Sequence, residues 1–352
     1  MTVVIREESD VVSERKWHIR NYRPEDADAV QELSGKVFHE RRPAQHFVWK
    51  FNENPAGLSI GGVAEHSDRI VGHYAMLPTW LRIGREVVFG VQACESMTEP
   101  DFRNQGISTA LAKSCMAAAV ARGVEVGYGL PNPLSYGPLV RLDWEHTGDF
   151  PRWVRVLKPV HLTMLPRPMR YVASFGQHLL PIGDNAPPDI HIRTEKPTDQ
   201  ELVSLTKSIT SDETDQTCRI ERSIDWFKWK FDSRSQRRYV WLSAYRGGNL
   251  KAWAAFGIND WGELPLIDTM GSDPASLEAV VSGATRRAKE LGLPALLAFP
   301  DNRNVVQALK SCGYFRHKNM PLVVRSFTSR VLDGNIHDHS SWRIASQDFD
   351  TF

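Results

Sequence analysis

The residues best suited to chemistry lie between Glu95 and Asn132. At their centre runs Pro100-Asp101-Phe102-Arg103-Asn104-Gln105-Gly106-Ile107-Ser108-Thr109, which leads straight into an alanine-rich stretch. Gly106 lets the backbone approach a ligand closely, and the small Ser108 leaves room beside it. Free amide N–H groups at the positive end of a helix bind phosphate, and Arg103 can add a charge-assisted contact. The plain structural alternative is a tight strand-to-helix turn. Glu95, flanked by Cys94 and Ser96, precedes this loop. Burial would raise its pKa toward that of a useful general base, and the alternative is an acid that anchors a loop or an acceptor cation. Tyr136 follows Asn132 by about one helical turn, with Ser135 beside it. Its ring suits the lining of a cleft.

Other polar candidates read as structural. His73 falls on an expected strand, and His46 stands just before Trp49. His337-x-His339 has the look of a metal pair but no third ligand, so a solvated tail and no metal site are expected.

The elements that must position these residues occur twice. Phe47-Val48-Trp49-Lys50-Phe51 is echoed by Phe227-Lys228-Trp229-Lys230-Phe231, and Glu95-Ser96-Met97 by Asp268-Thr269-Met270. Each phrase precedes a hairpin pattern. Gly61–Ala64 and Ile70–Met76 flank His66-Ser67-Asp68, while Tyr239–Tyr245 and Leu250–Phe256 flank Arg246-Gly247-Gly248-Asn249. A long helix is expected from Ser108 or Thr109 to Arg122-Gly123, and its partner from Pro274 to Glu290. Short buried strands follow at Val124–Leu130 and Ala295–Phe299, then helices opened by Asn132 and Asn302. Pro151 and Arg155 correspond to Pro321 and Arg325. Matches in this common order argue for two copies of one unit. The expected fold class is α/β (α+β): two tandem domains, each a mixed, largely antiparallel sheet with helices on both faces. The expected boundaries are 1–156, a linker at 157–189 holding a short helix at 170–180, a second copy at 190–330 and a tail at 331–352.

Strand, Arg-x-x-Gly-x-Ser, long alanine-rich helix and a strand ending in Asn together resemble the Gcn5-related N-acetyltransferase (GNAT) superfamily. Its hallmark is Arg/Gln-x-x-Gly-x-Gly/Ala, and here Ser108 replaces the usual last Gly or Ala. The resemblance covers Ile19 to Val156 well and Ile190 to Phe327 in outline. It implies a tandem acyltransferase using acetyl-CoA or another acyl-CoA. Met97 and Thr98 would offer backbone groups to the pantetheine arm. Arg103, Asn104, Gln105, Gly106, Ile107 and Ser108 would hold the pyrophosphate, with Thr109 nearby. Asn132 would lie where the strands splay apart, and Glu95 would stand where the family often keeps its base. The family's thiolate-protonating tyrosine falls here on Leu139, so Tyr136 is the nearest substitute. The second copy passes from Met270 through Gly271-Ser272-Asp273 into its helix without the loop. It is expected to bind no CoA and instead to help hold the acceptor, through Asp268 and Asn302, or to serve as scaffold.

The implied acceptor is a small-molecule amine, first of all an amino sugar. An aminoacyl transferase of the Fem type and a non-catalytic CoA- or sugar-binding module are the alternatives. Against the former stand the intact Arg103-to-Ser108 loop and the lack of a strong basic stripe or coiled-coil arm, and the balance of 43 basic and 42 acidic side chains does not suggest a nucleic acid as main partner. The absence of an apolar run of membrane-spanning length argues against a membrane span. Four widely spaced cysteines suit a reducing compartment, and a cytoplasmic location is expected.

Overall fold

The computed structural model describes residues 17–348 other than 40–41, 159–185, 211–215, 234–236, 260–263 and 301. The helix expected at 170–180 lies outside the described residues. The first half runs β1 (His18–Asn21), α1 (Ala27–Phe38), α2 (Ala44–Phe51), β2 (Ile60–His66), β3 (Arg69–Ile83) and β4 (Glu86–Thr98). It continues as α3 (Ile107–Ala121), β5 (Val126–Gly129), α4 (Pro133–Val140) and β6 (Glu145–Val156). The second half opens with β7 (His191–Arg193), α5 (Asp199–Thr210), β8 (Cys218–Ile220) and α6 (Ile224–Phe227). There follow β9 (Arg238–Arg246), β10 (Asn249–Ile258), β11 (Leu266–Gly271), α7 (Pro274–Glu290), β12 (Ala295–Ala298), α8 (Arg303–Ser311), β13 (Phe315–Ser326) and β14 (Trp342–Arg343).

Local sequence explains most of these limits. The β2–β3 turn places Ser67 and Asp68 at φ 48° and 59°, and the β9–β10 turn places Gly247 and Gly248 at 57° and 77°. Two successive positive φ values match the right-handed twist of the paired strands, so both hairpins close on two residues. Asn132 and Asn302 accept from first-turn amides and so start α4 and α8.

The described strands form one continuous sheet, in the order β1-β2-β3-β4-β5-β13-β6-β12-β11-β10-β9-β7. The last strand of each half has been exchanged. β13 pairs antiparallel with β5, from Val323 opposite Gly129 to Ser326 opposite Val126. β6 pairs with β12, from Ala295 opposite Val156 to Ala298 opposite Trp153. The exchanged strands also pair with each other. Arg155 of β6 donates to the Gly313 carbonyl at 3.0 Å, and Arg325 of β13 donates to the Leu142 carbonyl. Each arginine thus satisfies the end of the other half's helix.

The repeated tryptophan phrases meet face to face. Trp49 and Trp229 stack with ring centres 4.9 Å apart and planes 15° from parallel. Each indole N–H donates to the other residue's carbonyl, at 2.8 and 3.1 Å. This reciprocal pair marks a pseudo-twofold relation between the halves. Around it lies a core shared by both, including Tyr128, Phe227, Trp253 and Trp342.

The segment expected as a solvated tail is packed instead. Trp342 and Arg343 pair with β8, and Ile336, Trp342 and Ile344 enter the shared core. His337 Nδ1 lies 2.8 Å from Glu145, and the His339 ring packs on Phe150. The two histidines therefore serve different contacts on β6. Burial of one tryptophan and two isoleucines holds the segment in place.

The exchange makes a strong statement about fragments. A chain cut after Arg155 would leave β5 with an open edge and β6 without either neighbour. Such a fragment is expected to aggregate where the full chain stays soluble, as light scattering would show. A soluble, folded fragment would contradict the exchange.

Candidate active site

The candidate site opens where β4 and β5 part. Their parallel pairing runs from Gly90 opposite Val126 to Ala93 opposite Gly129 and ends there. β4 continues to Thr98, while the chain after β5 turns at Asn132 into α4. From Cys94 to Thr98, β4 therefore keeps β3 as its paired neighbour on one side, with its other edge toward the opening. Met97 and Thr98 lie on this stretch, where backbone groups can receive an extended ligand.

A bulge sits at the same place. Tyr74 pairs with Ser96 and Ala75 with Cys94, so Glu95 is the extra residue, at φ 33°. A bulge re-aims the side chain it carries, and strain of this kind persists where surrounding contacts over-determine it. Here the contacts are ionic. Glu95 Oε1 lies 2.6 Å from Lys50 Nζ and 3.5 Å from Arg42 Nη1. The side chains of Lys50 and Glu95 are 0% and 5% exposed. Burial alone pushes the carboxyl up, but Lys50 and Arg42 outweigh it and bring its pKa down to about 2. The expected rise toward a general base's value is thus reversed. Lys50 belongs to the repeated phrase, and a lysine kept among aromatics was the signal for this pair.

His73 stands opposite Met97 on β3 and is fully buried, with Nδ1 3.1 Å from the Gly62 carbonyl. Burial lowers its pKa from 6.5 to about 4. The folded state holds it neutral, whereas the unfolded chain takes up a proton below 6.5. Stability from this group is present above 6.5 and is lost as pH falls toward 4. Glu95, depressed from 4.5 to about 2, adds a further loss between those values. Thermal melts should therefore show Tm falling steadily from neutral pH downward. A Tm that stays flat or rises on acidification would contradict the burial of both groups.

The loop after β4 forms an open cradle. A 3-10 turn at Pro100–Phe102 leads through Arg103 to Asn104 at φ 62° and Gly106 at φ 79°. Gly106 is the N-cap of α3 and carries no side chain to satisfy the first-turn amides. A Cβ built on it would meet no atom within 4 Å, so the fold leaves the position beside this helix start uncovered. Arg103 and Gln105 are exposed on the rim, with Arg103 Nε 3.4 Å from the Thr98 carbonyl. Ile107 is buried as the first residue of α3, and Thr109 is exposed on the same turn. Ser108 Oγ lies 3.2 Å from Ser96 Oγ, so the departure from Gly or Ala ties the helix start to β4. A set of uncapped amides at a helix N-terminus, with an arginine on its rim, fits a pyrophosphate.

Asn132 spends its side chain on capping, accepting from the Leu134 and Ser135 amides at 2.9 and 3.1 Å. Tyr136 is half-buried, its ring edge-on to His146 at 5.6 Å. Leu139 is buried in the core beneath α3, which leaves Tyr136 as the phenol on this helix.

The second half differs at each corresponding place. Asp268 is 1% exposed and pairs with Arg222 at 3.4 Å, while Arg222 also holds Asp348 at 3.0 Å. β11 and β12 part after Ile267 and Ala298, and there Ser346 Oγ accepts from the Phe299 amide at 2.9 Å. The chain's own segment Ile344–Asp348, buried throughout, packs against this crevice. Asn302 caps α8, and Asp273 caps α7 where the first half has its open glycine. The expected acceptor role of Asp268 and Asn302 is therefore replaced by an internal ion pair and a helix cap. Arg42 and Lys50 precede Arg222 and Lys230 by one common offset, and Arg222 holds Asp268 as Arg42 holds Glu95.

Residues 18–147 match the family model of the acetyltransferase (GNAT) domain. This part of the chain is a GNAT domain. The whole fold is similar to that of solved acyltransferases. A probable N-acyltransferase from Enterococcus faecalis V583 is 11% identical with a TM-score of 0.61, over 88% of this chain and 73% of that one. A GCN5-related N-acetyltransferase from Anabaena variabilis is 10% identical with a TM-score of 0.59, over 89% and 73%. Saccharomyces cerevisiae N-myristoyltransferase with bound myristoyl-CoA is 11% identical with a TM-score of 0.66, over 88% and 82%. No curated protein matches the sequence. Among the described residues no helix is long and apolar enough to cross a membrane.

Proposed function

We propose that the GNAT domain moves an acetyl or other short acyl group from acyl-CoA to a small-molecule amine. The observation that carries this reading is the open glycine cradle at Gly106, present at α3 and replaced by an aspartate cap at α7. Arg103 and the amides following Gly106 would hold the pyrophosphate, and the edge of β4 at Met97 and Thr98 the pantetheine arm. The thioester would then reach the parting of β4 and β5.

Acyl-CoA supplies an activated carbonyl and a thiolate leaving group. The amine nitrogen bonds to the carbonyl carbon, the C–S bond breaks, the amine proton leaves to solvent, and the departing sulfur takes a proton from Tyr136, which solvent restores. A carboxylate with a pKa of about 2 drives proton abstraction weakly, so we assign Glu95 to fixing the bulge through Lys50 and Arg42. Tyr136 is assigned to protonating the thiolate. Tyr136→Phe should lower kcat about a hundredfold with acyl-CoA affinity retained, as for loss of a general acid. Unchanged kcat would return Tyr136 to a lining role.

The reading is tested by incubating the protein with acetyl-CoA and a panel of amines headed by amino sugars. Free thiol should appear with at least one acceptor and in its absence stay at background. Thiol release that no amine stimulates would overturn the transferase reading.

A further inference from the structure

The segment that ends in Asp348 reaches across to the paired ends of β4 and β5. Gln92 and Tyr128 are paired across β4 and β5, one residue inside the point where the strands part. Both donate to one acceptor, the main-chain carbonyl of Asp348, at 3.1 and 3.2 Å. These three residues are 5%, 1% and 3% exposed. Asp348 is pinned in turn, its carboxylate accepting from Arg222 at 3.0 Å and from the Ala345 amide at 2.8 Å. The Trp342 ring packs against Tyr128 at 5.8 Å. On the opposite face Gly129 is flanked by its cross-strand partners. A Cβ placed on Gly129 would stand 3.3 Å from Val323 and 3.4 Å from Ala93.

An acyl chain running inward from the parted strands on the Gln92 and Tyr128 face would meet this buried cluster within one residue. We propose that Gln92, Tyr128 and the Asp348 carbonyl form an end wall that limits the donor to acyl groups of a few carbons. This deepens the acyl-CoA reading above and rests on it. The wall is built jointly: β4 and β5 bring the donors, and the segment held by Arg222 brings the acceptor. The second half thereby sets donor specificity without binding a donor itself.

Binding of acetyl-CoA and octanoyl-CoA to the full chain, each by calorimetry, tests the wall without an acceptor. The wild type should bind octanoyl-CoA no more tightly than acetyl-CoA. A buried tunnel would instead favour octanoyl-CoA by more than about a hundredfold, each buried methylene being worth roughly fourfold. Gln92→Ala should raise the octanoyl-to-acetyl affinity ratio at least about tenfold by opening the wall. Tyr128→Phe, which keeps the ring and loses the tie to Asp348, should shift the ratio less and in the same direction. A wild type that prefers octanoyl-CoA, or folded variants that both keep the wild-type ratio, would overturn the wall alone. If Gln92→Ala fails to fold, the wild-type ratio and Tyr128→Phe still decide. Binding of neither thioester would overturn the acyl-CoA reading and the wall with it.

Discussion

Gly106→Glu is expected to abolish acyl-CoA binding, lowering affinity by at least about a hundredfold. Three effects act together. The residue sits at φ 79°, which a side chain adopts with strain. Its side chain would occupy the uncovered position beside the start of α3. A carboxylate there would also repel a pyrophosphate, where the amides and the helix dipole attract one. Because the position is exposed, the fold should survive with only a modest change in Tm. Gly106→Ala separates the contributions, since it adds strain and little bulk. Unchanged affinity in Gly106→Glu would place the donor elsewhere on the molecule.

Glu95→Gln is expected to fail through the structure and not through proton transfer. Glu95 is the carboxylate that Lys50 and Arg42 share, at 2.6 and 3.5 Å. Taking one partner from a buried ion cluster costs about 3 kcal/mol or more. The bulge it fixes adjoins the parting of the strands, so catalysis should fall as well. The diagnostic is the pairing with Lys50→Met. The double variant Lys50→Met, Glu95→Gln should be more stable than Glu95→Gln alone, because it removes the buried charge left behind. A Glu95→Gln protein that melts like the wild type, turns over about a thousandfold more slowly and loses an acidic limb would restore the base.

Much of this arrangement was legible in residue order. The turn residues Ser67-Asp68 and Gly247-Gly248 fixed two hairpins, and Asn132 and Asn302 opened the two helices they cap. Gly106 marked the cradle because its sequence context demanded a residue with no side chain. Three features depended on contacts that sequence spacing does not encode. The exchange of β6 and β13 is invisible because both strands carry the same Pro and Arg pattern, and either would fit either neighbour. The depressed pKa of Glu95 comes from Lys50 and Arg42, which lie 45 and 53 residues away along the chain. His337-x-His339 without a third ligand suggested a solvated tail at 331–352, yet Ile336, Trp342 and Ile344 bury its described part between the halves.

The proposed acyl transfer stands or falls on where the acyl group ends. The decisive measurement is mass spectrometry of amine acceptors after incubation with acetyl-CoA carrying a deuterated acetyl group, with free thiol followed in parallel. An acceptor should gain the labelled acetyl mass in step with thiol released, and Gly106→Glu should abolish both signals. Thiol released without any acylated amine, or transfer that Gly106→Glu leaves intact, would contradict acyl transfer from a donor held in the Gly106 cradle.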